Sequence, residues 1–168
     1  MLARLRKIET GRGDPTQAAA WDGLREIVER RLDILVAGPN ASPVSLNQAV
    51  RHALLAPAKR ARPLMTMLTA AELGADPMKA LDAGCAVELV HTASLILDDL
   101  PCMDDAKTRR GLPATHAAFG EATAVLAAIA MLTRAFGIIA GMESLTPSAR
   151  VDLTAILSFA SGADGLAT

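Results

Sequence analysis

Aromatic side chains are nearly absent. Phe, Trp and Tyr make up 2% of 168 residues, with three Phe, one Trp and no Tyr. Alanine, leucine and methionine must therefore fill the core, which favours helices over sheet. Cysteine is equally scarce. Cys85 and Cys102 stand in no metal-ligand spacing, and a reduced, cytoplasmic protein is the plain reading. Charge of one sign is missing too: the formal net charge is -1, so no nucleic-acid partner is indicated. The longest apolar run, Ala122 to Thr133, stops at Arg134 and is too short to span a bilayer, so no transmembrane segment is expected. The basic N-terminus has no apolar stretch behind it, which argues against a secretory signal. There is no internal repeat, no low-complexity segment and no alternation of polarity to mark a strand. What remains is an all-α protein, a helical bundle long enough for one domain with a real core.

The informative stretch runs from Glu88 to Asp105. It begins as an apolar helix and ends in Asp98, Asp99, Asp104 and Asp105. Reading back from Asp98 at helical spacing gives Ser94 or Leu95, His91 and Glu88 on one face. A polar line thus climbs an otherwise apolar helix, and buried polar groups need partners. Acids at a helix C-terminus oppose the helix dipole, which raises the case for a bound cation, and oxygen-only ligands suit magnesium better than zinc. Arg109, Arg110 and Gly111 follow. Paired arginines this close to carboxylates suggest a polyphosphate, with a metal bridging acid to phosphate and arginine gripping the other oxygens.

Along the chain, residues 1–13 read as a frayed, disordered N-terminus, and residues 14–168 as the helical domain. Asp14-Pro15-Thr16-Gln17 starts a helix whose stripe is Trp21, Leu24, Val28 and Leu35, and Gly38-Pro39-Asn40 ends it. Ser45-Leu46-Asn47-Gln48 opens a short helix to about Leu55. In Pro57-Ala58-Lys59-Arg60-Ala61-Arg62-Pro63, two prolines bracket three cations, which predicts a loop feeding a helix from Pro63 to Gly74, with an N-terminus suited to anions. Asp76-Pro77 starts the long central helix, and Pro101 disrupts it near the aspartates. Asp104 to Pro113 read as a polar loop. Another helix runs from about Thr115 or Glu121 towards Gly141, and Thr146-Pro147 caps a last one to about Ser161.

Each feature taken singly has a plainer reading. The cationic loop and the arginine pair could be solvated surface, the acids a hydrated helix end, and His91 a hydrogen-bonded core histidine. His52 and His116 have no obvious partners and read as surface or structural. Cys85 and the methionines read as core filler.

In combination, the motifs resemble the all-trans polyprenyl diphosphate synthases. Asp98-Asp99-Leu100-Pro101-Cys102-Met103-Asp104 resembles the family's first aspartate-rich motif. Arg109-Arg110-Gly111 follows at the family distance. Lys59-Arg60-Ala61-Arg62-Pro63 resembles its upstream basic motif, and His91 to Leu97 fits the segment before the acids. The run from Phe119-Gly120-Glu121 to Ile138-Ile139-Ala140 is similar to carotenoid-type bacterial geranylgeranyl diphosphate synthases. The resemblance covers roughly residues 16–168 and corresponds to the N-terminal half of family members. It implies an isoprenoid-synthase-type bundle and Mg2+-dependent, head-to-tail condensation of an allylic diphosphate with isopentenyl diphosphate. By carry-over, Asp98 and Asp104 would hold magnesium with Asp99 assisting. Arg109 would grip the allylic diphosphate, and Lys59, Arg62, His91 and Arg110 would hold isopentenyl diphosphate. The small Ala93 and Ser94 would favour a product longer than farnesyl, with geranylgeranyl the first choice. Two departures stand out. Ala58 replaces the usual glycine before the lysine, which would strain the loop if that position needed a positive φ. The family's second aspartate-rich motif would fall beyond Thr168.

Three functions follow in order. The first is a prenyltransferase of the geranylgeranyl diphosphate synthase type, not expected to turn over as this chain alone, working as a homodimer or as a heterodimer with a full-length synthase. The second is a non-catalytic truncated homologue that binds and modulates such a synthase. The third is a plain helical domain with incidental magnesium binding, which the ordered set of motifs disfavours.

Overall fold

The computed structural model describes residues 15–37, 44–163 and 165. The expected frayed start, the Asp14 cap and the Gly38-Pro39-Asn40 stop lie outside these residues, as do Asp164 and 166–168. Among the described residues, seven α-helices carry the fold, with one short 3-10 turn and one two-stranded hairpin. The all-α expectation therefore holds.

Helix α1 (Pro15–Val36) starts on a proline, whose missing N–H is no loss in a first turn. It buries Leu24, Val28, Leu32 and Leu35 at helical spacing. Helix α2 (Val44–Leu54) begins one residue before Ser45, so Ser45 lies inside the helix and not at its cap. Helix α3 (Ala61–Glu72) starts two residues before the expected Pro63, which instead sits in the first turn, where the ring is tolerated. Its end is a Schellman closure. The N–H of Ala75 donates to the Ala70 carbonyl (2.9 Å) and that of Gly74, at φ 82°, to Ala71 (3.0 Å).

Asp76 caps the 3-10 turn Pro77–Ala80 by accepting from the Met78 N–H at 3.0 Å. Helix α4 (Leu81–Asp98) follows and is the centre of the molecule. Ten of its residues, from Leu81 to Ile96, are buried, and it packs most extensively against α6 and then α3. Where it crosses α3, a side chain at Gly84 would come within 2.8 Å of the Pro63 Cα, so only glycine permits that approach.

The expected loop from Asp104 to Pro113 contains a hairpin instead. Strand β1 (Thr108–Arg109) pairs with β2 (Leu112–Pro113) in the register Thr108↔Pro113, Arg109↔Leu112. Its turn residues, Arg110 (φ 54°) and Gly111 (φ 79°), are both left-handed, the condition for a tight turn that matches strand twist. Two-residue strands are too short to leave an alternating pattern in sequence. Both expected helix starts are occupied: Thr115 opens the short α5 (Thr115–Phe119), and Glu121, after Gly120 at φ 84°, opens the long α6 (Glu121–Ala140). Helix α7 (Pro147–Ser161) begins as expected, with the Thr146 hydroxyl accepting from the Ala149 N–H at 3.2 Å.

By length and composition, Pro77–Asp98 and Glu121–Ala140 could each cross a membrane, so the expectation based on Ala122 to Thr133 was too narrow. Helix α6 runs straight through Arg134, a good helix former, whose guanidinium donates to the Leu35 carbonyl at the end of α1 (3.0 Å). Most of the α4 window is already covered by protein. The packing at Gly84 predicts that Gly84→Ala lowers stability by about 1–3 kcal/mol, the cost of forcing atoms into a packed crossing, as measured by urea denaturation.

Candidate functional site

Helix α4 fixes the site because its C-terminal turns carry His91, Thr92, Asp98 and Asp99, and both the cationic loop and the hairpin fold back on it. The loop arrives first. Arg60 is the largest fully buried side chain, in left-handed conformation at φ 51°. Its Nε and Nη2 donate to the two Glu29 carboxylate oxygens (2.7 and 3.0 Å), its Nη1 to Glu88 (3.1 Å) and its Nη2 also to the Ala56 carbonyl (3.1 Å). Burial works against its charge, but Glu29 and then Glu88 outweigh that and push its pKa up. The middle cation of the loop is therefore a buried pin, with Lys59 and Arg62 exposed on either side, their side chains without a hydrogen bond or ion pair among the described residues. Ala58 has no positive φ, so its replacement of glycine causes no backbone strain.

Arg62 and His91 line one apolar cleft of about 300 Å³, walled by Val87 and Val90 of α4, Ile139 of α6 and Leu157 of α7. His91 is half-buried. Burial lowers its pKa, and the nearby charges of Arg62 and Arg110 lower it further. One cation, Arg62, and an imidazole kept from charging thus stand side by side on an otherwise apolar space.

On the other side of α4 the hairpin presents its arginines. Arg109 donates through Nε (3.0 Å) and Nη2 to the buried Asp99 carboxylate, a two-pronged pair. Arg110 Nη2 lies 3.9 Å from Glu88, the carboxylate that Arg60 also holds. The hairpin is clamped from behind by His52, whose Nε2 meets the Pro113 carbonyl at 2.8 Å and whose ring packs edge-on against Phe119. The sequence offered no partner for His52 because both contacts come from residues more than sixty positions away.

The acids lie around a closed loop. The Asp104 N–H donates to the Asp98 carbonyl at 2.8 Å, and the Met103 and Asp105 N–H groups share the Leu100 carbonyl (2.9 and 3.0 Å). Asp98 is half-buried and Asp104 exposed, and neither carboxylate has a hydrogen bond or ion pair. Asp105 turns away, at φ 48°, to pair with Lys107 at 2.7 Å. Among the described residues, no three acids, histidines or cysteines converge on one point as a metal cage. The unpaired Asp98 and Asp104 fit magnesium in its usual manner, one or two carboxylates with the remaining ligands from phosphate and water. Asp99 is engaged by Arg109. Ala93 is fully buried in the core, and the Ser94 hydroxyl donates to the His91 carbonyl (2.9 Å); neither lines the cleft.

Sequence reasoning missed Arg60 as a pin, Glu88 as its partner and His52 as the hairpin clamp. The signal for the first two was available: Glu29 and Glu88 sit on faces that also carry buried leucines and so required cations.

The chain matches the Polyprenyl synthetase family over residues 43–162. It is 50% identical over 153 residues to a geranylgeranyl diphosphate synthase of Pantoea ananas, covering 90% of this chain and 50% of that protein. It is 44% identical over 147 residues to one of Pseudescherichia vulneris, covering 84% and 48%. The chain thus spans about half the length of the curated relatives it matches. The apo crystal structure of an FPP/GFPP synthase from Zymomonas mobilis superimposes with a TM-score of 0.84 at 33% identity, covering 99% of this chain and 56% of that one.

Two outcomes are expected. Arg60→Met strands Glu88 in the core without its cation and lowers stability by about 3–5 kcal/mol, readable as a loss of thermal midpoint. His91, held neutral by burial and by Arg62, titrates below its ordinary value of 6.5 in NMR. A histidine with a depressed folded pKa opposes protonation only in the native state. Its contribution is therefore lost as pH falls from 6.5 towards the folded pKa, and His91→Gln should flatten the stability profile in that window.

Proposed function

The chain belongs to the polyprenyl synthetase family, and on that premise we propose that it is a prenyltransferase of the geranylgeranyl diphosphate synthase type. The reaction joins an allylic diphosphate to isopentenyl diphosphate, head to tail. The observation that carries the reading is the cleft: Arg62 and His91 on its lining, aliphatic walls around them, the unpaired Asp98 two turns further along α4 and Asp104 in the loop beyond.

In this reading Lys59, Arg62, His91 and Arg110 hold the diphosphate of isopentenyl diphosphate. Arg62 offers a planar set of donors to phosphate oxygens, and Lys59 a mobile point charge. His91, whose pKa is lowered in the empty site, would have it raised by an arriving diphosphate and could take a proton from solvent, because a nearby negative charge favours its charged form. Arg109 meets the allylic diphosphate and is oriented beforehand by Asp99. Asp98 and Asp104 would hold Mg2+, with Asp99 assisting once its pair with Arg109 loosens. Magnesium there supplies positive charge against the charge that builds on departing pyrophosphate. The walls of Val87, Val90, Ile139 and Leu157 keep water from an allylic cation.

The twenty-carbon product is the finer part of the proposal. It is supported by the names of the Pantoea and Pseudescherichia relatives; the small Ala93 and Ser94 add nothing from the cleft itself, which neither lines. A cytoplasmic setting is supported by two free cysteines, one of them, Cys102, exposed. The second reading, a subunit that modulates a full-length synthase, is favoured by apolar side chains left exposed on two helices: Leu126 and Ile129 on α6, Val151, Ile156 and Phe159 on α7. The same surface would serve a homodimer.

The test is a condensation assay with magnesium, farnesyl diphosphate and labelled isopentenyl diphosphate, run on the chain alone and mixed with a slow full-length synthase. Label in a twenty-carbon product from the chain alone supports the first reading, and Arg62→Ala should then raise the KM for isopentenyl diphosphate at least tenfold, the loss of one charge-assisted contact. A changed rate or product length only in the mixture supports the second. Silence in both arms would sink the enzymatic reading.

A further inference from the structure

Thr92 stands apart from other threonines on the helices. The hydroxyls of Thr66, Thr133 and Thr154 each donate to the carbonyl one turn earlier, at 3.0, 3.0 and 2.7 Å. That is the ordinary refuge of a helical threonine. The Thr92 hydroxyl is buried, with 2% of the residue exposed, and has no partner. A second orphan lies nearby: Arg110 Nη1 is also buried and unpartnered, although Nη2 of the same guanidinium faces Glu88. Both residues line one small cavity of about 20 Å³, together with Asp99 and Thr115. Two unsatisfied polar groups on a common void would cost about 1–3 kcal/mol each if it were dry. A void needs about 10–15 Å³ to admit one water, and two to four polar partners to retain it. This cavity meets both conditions.

We propose that a single structural water occupies this cavity and bridges the Thr92 hydroxyl to Arg110 Nη1, making Thr92 a positioning residue for Arg110. The water oxygen accepts from the Arg110 N–H and the Thr92 hydroxyl, and the water donates to the lining acceptors, the Asp99 carboxylate among them. Arg110 needs such a second hold. It springs from a left-handed turn residue, and its one ion-pair contact is a single 3.9 Å approach. With the water at Nη1 and Glu88 at Nη2, both terminal nitrogens are restrained, so the guanidinium plane is set before any anion arrives. The positioning role rests on the reading of Arg110 as a diphosphate-holding residue; the water site does not.

Thr92→Val decides the matter by sign, because valine keeps the shape and removes the hydroxyl. If the cavity is dry, the substitution removes an unsatisfied group and the thermal midpoint rises or stays level, which overturns the proposal. If the water is there, it loses a partner and the midpoint falls by about 2–4 °C. A crystal structure of the unaltered protein should then show density within hydrogen-bond distance of both atoms; an empty cavity overturns the proposal whatever the midpoint does. For the positioning role, calorimetry with inorganic pyrophosphate should give threefold or greater weakening in Thr92→Val. Equal affinity removes that role. If the unaltered chain binds no pyrophosphate, the diphosphate reading of Arg110 fails and the positioning role with it, while the midpoint still decides the water.

Discussion

Everything in this molecule depends on one buried guanidinium. Arg60 has no access to solvent, and an uncompensated charge there would cost several kcal/mol. Its compensation comes from three directions: Glu29 on α1, Glu88 on α4 and the carbonyl of Ala56 just past α2. Four segments that are distant in sequence are thereby held in one register, since Arg60 itself is the residue from which α3 departs. Its left-handed backbone turns the chain so that Arg62 emerges beside the cleft instead of following Arg60 inward.

The second consequence is electrostatic. Glu88 serves Arg60 and faces Arg110, so charges alternate from Glu29 through Arg60 and Glu88 to the hairpin. Asp99 and Arg109 repeat the pattern beside it. Many of the charged groups near α4 are thus engaged by one another. The side chains left unpaired among the described residues are Lys59, Arg62 and Asp104, which are exposed, and the half-buried Asp98. A single count of charges in the sequence cannot make this division, because it depends on which carboxylate each cation reaches through space.

That limit explains what was legible beforehand. Helix identity was, because apolar spacing, prolines at first turns and Thr146 or Asp76 caps act locally. The acid cluster and its arginines were, because they are contiguous. Arg60 was not, since its partners are 28 and 31 residues away. The hairpin at Thr108–Pro113 was read as loop because two residues per strand carry no period. Thr115 and Glu121 both read as starts of the next helix because apolar residues continue on both sides of Gly120, and only that glycine at positive φ separates α5 from α6. The start of α3 was displaced by two residues because proline was treated as a boundary when the first turn can contain it.

The loop between the acid pairs ends on a different kind of constraint. Asp98 and Asp104 are joined across the loop by their own backbone, and Leu100 anchors it by accepting two N–H groups. Pro101, Cys102 and Met103 in between are exposed and touch little. Their identity is therefore cheap to change while their number is not. Substitutions there alter only surface, whereas adding or removing one residue would break the closure and rotate Asp104 away from Asp98.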